Sequence, residues 1–158
     1  MRKRNLLVLA LMVFVVFAVF AGCNAARRPA PPGQTPQNPN AALPADPRES
    51  SALAERLASK AAAVPGVEDA VVVLFGTNAY VGLNMEPNQE GRTKEAEREA
   101  AMQVKRADDR IRRVLVTSDP DLVTRLNRIA RGIANGRPAS VFVDEFSTLN
   151  KRMTPVTR

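Results

Sequence analysis

The chain has 158 residues, with 23 Lys and Arg against 16 Asp and Glu, one cysteine and no histidine. The missing histidine excludes every His-based triad and His metal site, and a single thiol excludes an internal disulfide or a CxxC-type metal site. The net charge of +7 falls to +4 once Arg2, Lys3 and Arg4 are set aside; that mild excess suits anionic lipid heads or wall polymers and falls short of a nucleic-acid footprint.

The N-terminus reads as a signal peptide over residues 1–22. Met1 to Asn5 is short and positively charged, and Leu6 to Ala21 is an unbroken apolar run. Its sixteen residues are fewer than the roughly 20 that a membrane-spanning helix needs. Ala21 and Gly22 are small and directly precede Cys23. The pattern resembles the bacterial lipobox, with Phe20 standing where the lipobox usually has Leu. A lipobox implies that the mature chain begins at Cys23, whose sulfur carries a diacylglyceryl group, with palmitate among the attached lipids. Two acyl chains hold a protein on a membrane stably where one does so only marginally. The alternative is an uncleaved, short transmembrane anchor with an incidental cysteine. Both place the rest of the chain outside the cytoplasm.

Residues 23–49 read as the Cys anchor and a disordered tether. Residues 24–50 hold seven of the twelve prolines and almost no large apolar side chain, too little to offset the entropy of ordering them. They are expected to be dispensable for folding.

Residues 50–158 are expected to form one small α+β domain. Ser50-Ser51 opens a helix with Leu53, Leu57 and Ala61 at spacing four. Val64-Pro65-Gly66 ends it. VEDAVVVLFG (67–76) is a β-branched run of strand length. After a turn at Gly76-Thr77-Asn78, residues 79–85 alternate, with Ala79, Val81, Leu83 and Met85 on one face and Tyr80, Gly82 and Asn84 on a wet one. A second helix is expected from Thr93 to Ile111, with an apolar stripe of Ala96, Ala100, Val104, Ala107 and Ile111. RRVLVTS (112–118) is a third strand. Asp119-Pro120-Asp121 is a strong helix start, combining an N-cap, a first-turn proline and a first-turn acid. Leu122, Leu126, Ile129 and Ile133 face inward from this helix, which ends at Asn135-Gly136. In the last segment Phe142, Phe146, Leu149 and Met153 fit a helix, and the shorter pair Val141 and Val143 fits a strand; the longer match favours helix. The order is α-β-β-α-β-α-α. The expected sheet is three-stranded and antiparallel in order 2-1-3, since strand one is the most continuously apolar and should be central. Strands two and three then run in the same direction, and helices pack on the sheet.

No catalytic constellation is legible. Ser51, Ser59 and Lys60 leave Ser/Lys chemistry formally open, but Lys60 falls on the wet side of its helix. Glu95, Glu97, Glu99, Asp108 and Asp109 are open to acid-base work. Against that, Glu90–Lys94, Asp108–Arg112 and Asp109–Arg113 stand four apart in the favourable order of a solvated helix face. The chain is expected not to be an enzyme, and to have no cofactor, no metal, no nucleic-acid partner and no small-molecule substrate. Arg125, Arg128 and Arg131 recur at spacing three. They are either a solvated face or a surface for teichoic-acid phosphate, lipid heads or an acidic partner.

Two blocks, AAAVPGVEDAVVVLFGTNAYVGLNM (61–85) and VLVTSDPDLVTRLNRIARGIANGRP (114–138), carry a family resemblance. They are similar to the YhcN/YlaJ sporulation lipoproteins of endospore-forming Firmicutes, over roughly residues 50–155. The resemblance implies a lipid-anchored protein on the extracytoplasmic face of the spore membrane or cell envelope, with an influence on germination or outgrowth. Its partners would be the membrane, and cell-wall polymer or other spore-envelope proteins. It supplies no site residue beyond Cys23. The element order is also similar to small modules that build rings in secretion and sporulation channels, an analogy at the level of fold alone.

Overall fold

The computed structural model describes residues 42–153 and 155–157. The signal-like segment, Cys23 and the tether up to residue 41 lie outside the described residues.

The first helix, α1 (Pro47–Ala62), begins three residues before Ser50. Its cap is Asp46, whose carboxylate accepts from the backbone N–H of Arg48 and Glu49 at 2.9 and 3.2 Å, with Pro47 in the first turn. This satisfies donors that a helix start otherwise leaves unpaired. Leu43, ahead of the cap, is buried in the core. A tight turn leads to β1 (Val67–Phe75), which pairs antiparallel with β2 (Asn78–Met85) in the register Val72 to Val81 and Val73 to Tyr80. A short 3₁₀ turn at Glu90–Arg92 precedes α2 (Thr93–Ala107). Then come β3 (Arg113–Thr117), α3 (Pro120–Ala134), a 3₁₀ turn at Ala139–Phe142, α4 (Val143–Arg152) and the short strand β4 (Pro155–Thr157). The last apolar segment is thus helical.

The sheet is mixed, in the order β1-β2-β3-β4. This corrects the expected antiparallel order 2-1-3. β3 runs in the same direction as β2, but it pairs directly with β2, Tyr80 opposite Leu115. The reason lies on the face of β2 that looked wet. Tyr80 is fully buried and its hydroxyl donates to Asn150 Oδ1 at 3.0 Å. Gly82 is buried beneath α3: a Cβ there would stand 3.2 Å from both Leu126 Cδ1 and Val123 Cγ2. β2 is therefore covered on both faces, as a central strand should be, without an apolar sequence to announce it. β1 is apolar because helices cover both of its faces too, although it lies at the sheet edge.

Two cores sit on opposite faces of the sheet. Val72, Leu74, Ala79, Val81, Leu83, Val114 and Val116 pack against α1 and α2. Val73, Tyr80 and Leu115 pack against α3 and α4. In the second core Phe146 stacks on Phe75 with centroids 4.3 Å apart and tilts against Tyr80 at 5.0 Å. Gly132 lets Phe142 lie on α3, since a Cβ there would be 2.4 Å from the ring.

α2 ends at Ala107, four residues before the expected Ile111. Asp108 takes an extended backbone and is fully buried. Its carboxylate accepts from the Arg110 backbone N–H at 3.0 Å and from the Arg110 guanidinium at 2.9 and 2.6 Å. The expected Asp108–Arg112 helical pair is thus replaced by an Asp108–Arg110 pair within a loop, because a short acid that bonds its own backbone competes with helix continuation. Ile111 is buried as expected, but from the loop.

Candidate functional site

The arginines singled out in the sequence all lie on α3. Asp119 caps that helix by accepting from Asp121 N at 2.9 Å and Leu122 N at 3.4 Å, and its other oxygen meets Arg152 at 3.4 Å. The cap and Pro120 set the helical phase. Leu122, Leu126, Ile129 and Ile133 are buried in that phase, and Arg125, Arg128 and Arg131 are exposed. Among the described residues none of these three arginines forms an ion pair. They do not form one row, however. At 3.6 residues per turn a spacing of three slips by about 60° a step, so the set spans roughly 120° of the helix surface.

Of the three, Arg131 lines a concave feature among the described residues. Its Nε donates to the Asn127 carbonyl at 3.3 Å. Both residues line a groove of about 260 Å³ along Ala70–Leu74 of β1. Small residues make its walls: Ser50, Ser51, Ala54 and Ala58 of α1 face Ala130 and Ala134 of α3. Glu55 is the acid at its margin. A second cleft of about 460 Å³ adjoins it through Ser50, Leu74 and Ile133. That cleft is bounded by the chain segment entering α1, the β1–β2 turn and Pro138–Ser140.

Most of the residues weighed for catalysis are engaged in structural bonds or surface pairs. Glu97 accepts from Ser118 Oγ at 2.9 Å and Glu99 from Gln103 at 2.8 Å. Glu95 faces Arg92 at 3.7 Å on the surface. Ser59 Oγ donates back to the Glu55 carbonyl at 3.0 Å, and Lys60 is exposed. Burial pushes the Asp108 carboxyl up, but the hydrogen bonds and positive charge of Arg110 outweigh it and hold the group below its ordinary value. The hydrogen bond to Asp108 in turn raises Arg110. Asp109, the remaining acid, is exposed. Among the described residues no cluster of three His, Cys, Asp or Glu is arranged to hold a metal, and no helix is long and apolar enough to cross a membrane. Cys23 lies outside the described residues.

The sequence reading passed over the loop after α2. Helix was expected up to Ile111 and strand from Arg112, with Asp108 and Asp109 on a solvated face, whereas the chain leaves the helix at Asp108 and sets the backbone of Arg112 and Arg113 against the β1–β2 turn. The signal was there in five basic residues out of nine.

Among known proteins, the family described as Sporulation lipoprotein YhcN/YlaJ matches residues 25–154. The probable spore germination lipoprotein YlaJ of Bacillus subtilis (strain 168) is 30% identical over 103 residues, which is 65% of this chain and 49% of that protein. The probable spore germination lipoprotein YhcN of the same organism is 28% identical over 104 residues, 65% of this chain and 55% of that one. The chain thus spans about half the length of the curated relatives it matches. With nearly all of its length from Ala25 to Thr154 matched, the chain belongs to the YhcN/YlaJ family of sporulation lipoproteins.

Proposed function

We propose that this protein is a lipoprotein of the spore or cell envelope, anchored on the extracytoplasmic face of the membrane through Cys23. Its role is structural or accessory, without catalysis, in sporulation, germination or outgrowth. The family match carries the reading: it begins two residues after the only cysteine. The names of the two Bacillus relatives support the link to germination. The engagement of Glu97, Glu99 and Asp108 in structural bonds supports a non-enzymatic role. Fractionation of disrupted spores tests it. The wild-type protein should sediment with membranes, and Cys23→Ala should leave a folded domain that is either released or retained as unprocessed precursor. Wild-type protein found wholly in the soluble fraction would overturn the reading.

A second reading has its own observation, the exposure of Arg125, Arg128 and Arg131 without ion pairs among the described residues. It makes α3 a binding face for an anionic wall polymer or lipid headgroup. Salt-sensitive binding to teichoic acid that disappears on changing all three to Gln would support it. Unchanged binding in that variant would remove it.

A further inference from the structure

The chain enters the domain at the end of the molecule where positive charge gathers. Ala42 to Ala45 share the larger cleft with Gly76 and Thr77 of the β1–β2 turn. The carbonyl of Thr77 accepts from Arg112 N at 2.7 Å and from Arg113 N at 3.5 Å. The entry segment and the loop after α2 therefore meet at the same turn. Pro138 to Ser140 line that cleft as well, which brings Arg137 to this end. Arg106, Arg112, Arg113 and Arg137 are all exposed. Of the two acids in the loop, Asp108 is buried and committed to Arg110, which leaves Asp109 exposed. Asp46 and Glu49 of the α1 start and Asp144 and Glu145 of the α4 start are the other acids near this end, and the excess is concentrated in the loop, where residues 105–113 hold five basic groups against two acids. Residues 42–158 as a whole hold eighteen against sixteen, so the rest of the domain is slightly acidic.

We infer that this end is a docking surface for anionic phospholipid headgroups of the bilayer in which Cys23 is anchored. The inference rests on the lipoprotein reading. Eighteen residues lie between Cys23 and Ala42, and the nineteen steps from one to the other reach about 65 Å at full extension. A tether of that length keeps the domain within reach of the bilayer and the local headgroup concentration high. Charge complementarity does the rest. Guanidinium groups bind phosphate in bidentate geometry, and their attraction acts within a Debye length of roughly 10 Å at 0.1 M salt. Arg125 and Arg128 lie along α3 outside this end, and Arg131 stands on the groove that adjoins its cleft.

Arginine footprinting tests the surface. The full chain is recovered from host membranes and reconstituted into phosphatidylcholine vesicles, with or without about 30 mol% phosphatidylglycerol. Phenylglyoxal modification is then followed residue by residue. Arg106, Arg112, Arg113 and Arg137 should react at least about threefold more slowly on the anionic vesicles, and the difference should vanish near about 0.5 M salt. Arg125 and Arg128 should react equally on both. In the variant R106Q/R112Q/R113Q the protection of Arg137 should be lost. Equal rates on the two vesicles would overturn the inference. So would protection confined to the α3 arginines, or protection by soluble teichoic acid and not by phosphatidylglycerol. The mass of the Cys23 peptide from the same sample separates the two levels: a lipidated Cys23 with equal rates overturns the docking surface alone, and an unlipidated Cys23 removes the anchor and the docking surface together.

Discussion

Leu126 and Arg128 stand two residues apart on α3 and differ in nearly everything that stability depends on. Leu126 is fully buried between the sheet and the helix, and Arg128 is exposed. Leu126→Ala removes buried surface and leaves a cavity, at a cost of about 2–5 kcal/mol. Arg128→Ala should stay within about 0.5 kcal/mol, as surface changes usually do. Thermal unfolding should separate the two by several degrees or more, and equal losses would mean that the arginine packs. Asp108 makes a sharper case, because its role was hidden in the sequence. There it read as a helical acid four residues from Arg112; the folded chain turns it inward to Arg110. Its native pKa lies below the ordinary 3.8, so its ionisation stabilises the fold fully above that value. The contribution falls away as pH drops below it towards the native pKa. Asp108→Asn should cost about 1.5–3 kcal/mol near neutrality, the range for a hydrogen bond to a charged group. Acid titration of stability should show less loss between pH 4 and the native pKa in Asp108→Asn than in the wild type.

At the scale of elements, the periodicities located the four helices and β1, β2 and β3 of the described residues but not the short β4, and the Asp119-Pro120 start was legible to the residue because its capping chemistry is local. Strand order was not legible, because it depends on contacts between distant segments. Tyr80 looks amphipathic until Asn150, seventy residues away, takes its hydroxyl. Gly82 looks like a weak point in a strand until α3 rests on it. Gly82→Ala tests that account. Alanine would relieve the glycine's excess backbone entropy, worth about 0.5–1 kcal/mol. Against this its Cβ would lie 2.9 Å from Val71 Cγ1 and 3.2 Å from Leu126 Cδ1, and overpacking costs about 1–3 kcal/mol. The steric term is the larger, so denaturant unfolding should show a net loss. A gain in stability would mean that α3 sits further from β2.

For the whole molecule, the domain reaches further towards the N-terminus than its helix pattern suggests. Leu43 is buried and Asp46 caps α1, yet both fall in a stretch whose proline content reads as tether. Composition reports the average of such a segment and misses an apolar side chain, Leu43, that docks. A chain beginning at Ala42 should unfold with the same midpoint as the longer protein. One beginning at Arg48 loses a buried leucine, worth about 1.5–3 kcal/mol, and a helix cap worth about 1 kcal/mol. Its melting temperature should fall well below the other's, and coincident curves would show that Leu43 contributes nothing. The candidate site was legible in a different way. Cys23 stood out because a lone thiol between an apolar run and a proline-rich stretch has few uses. The basic end of the domain emerged only when folding brought the chain entry, the hairpin turn and the loop after α2 together. The anchor at Cys23 is the claim on which the rest depends, and the mass of the N-terminal peptide from the protein in its native host tests it directly. The account predicts a peptide that begins at Cys23 and carries a diacylglyceryl group. An intact segment from Met1 to Phe20 on that protein would contradict it.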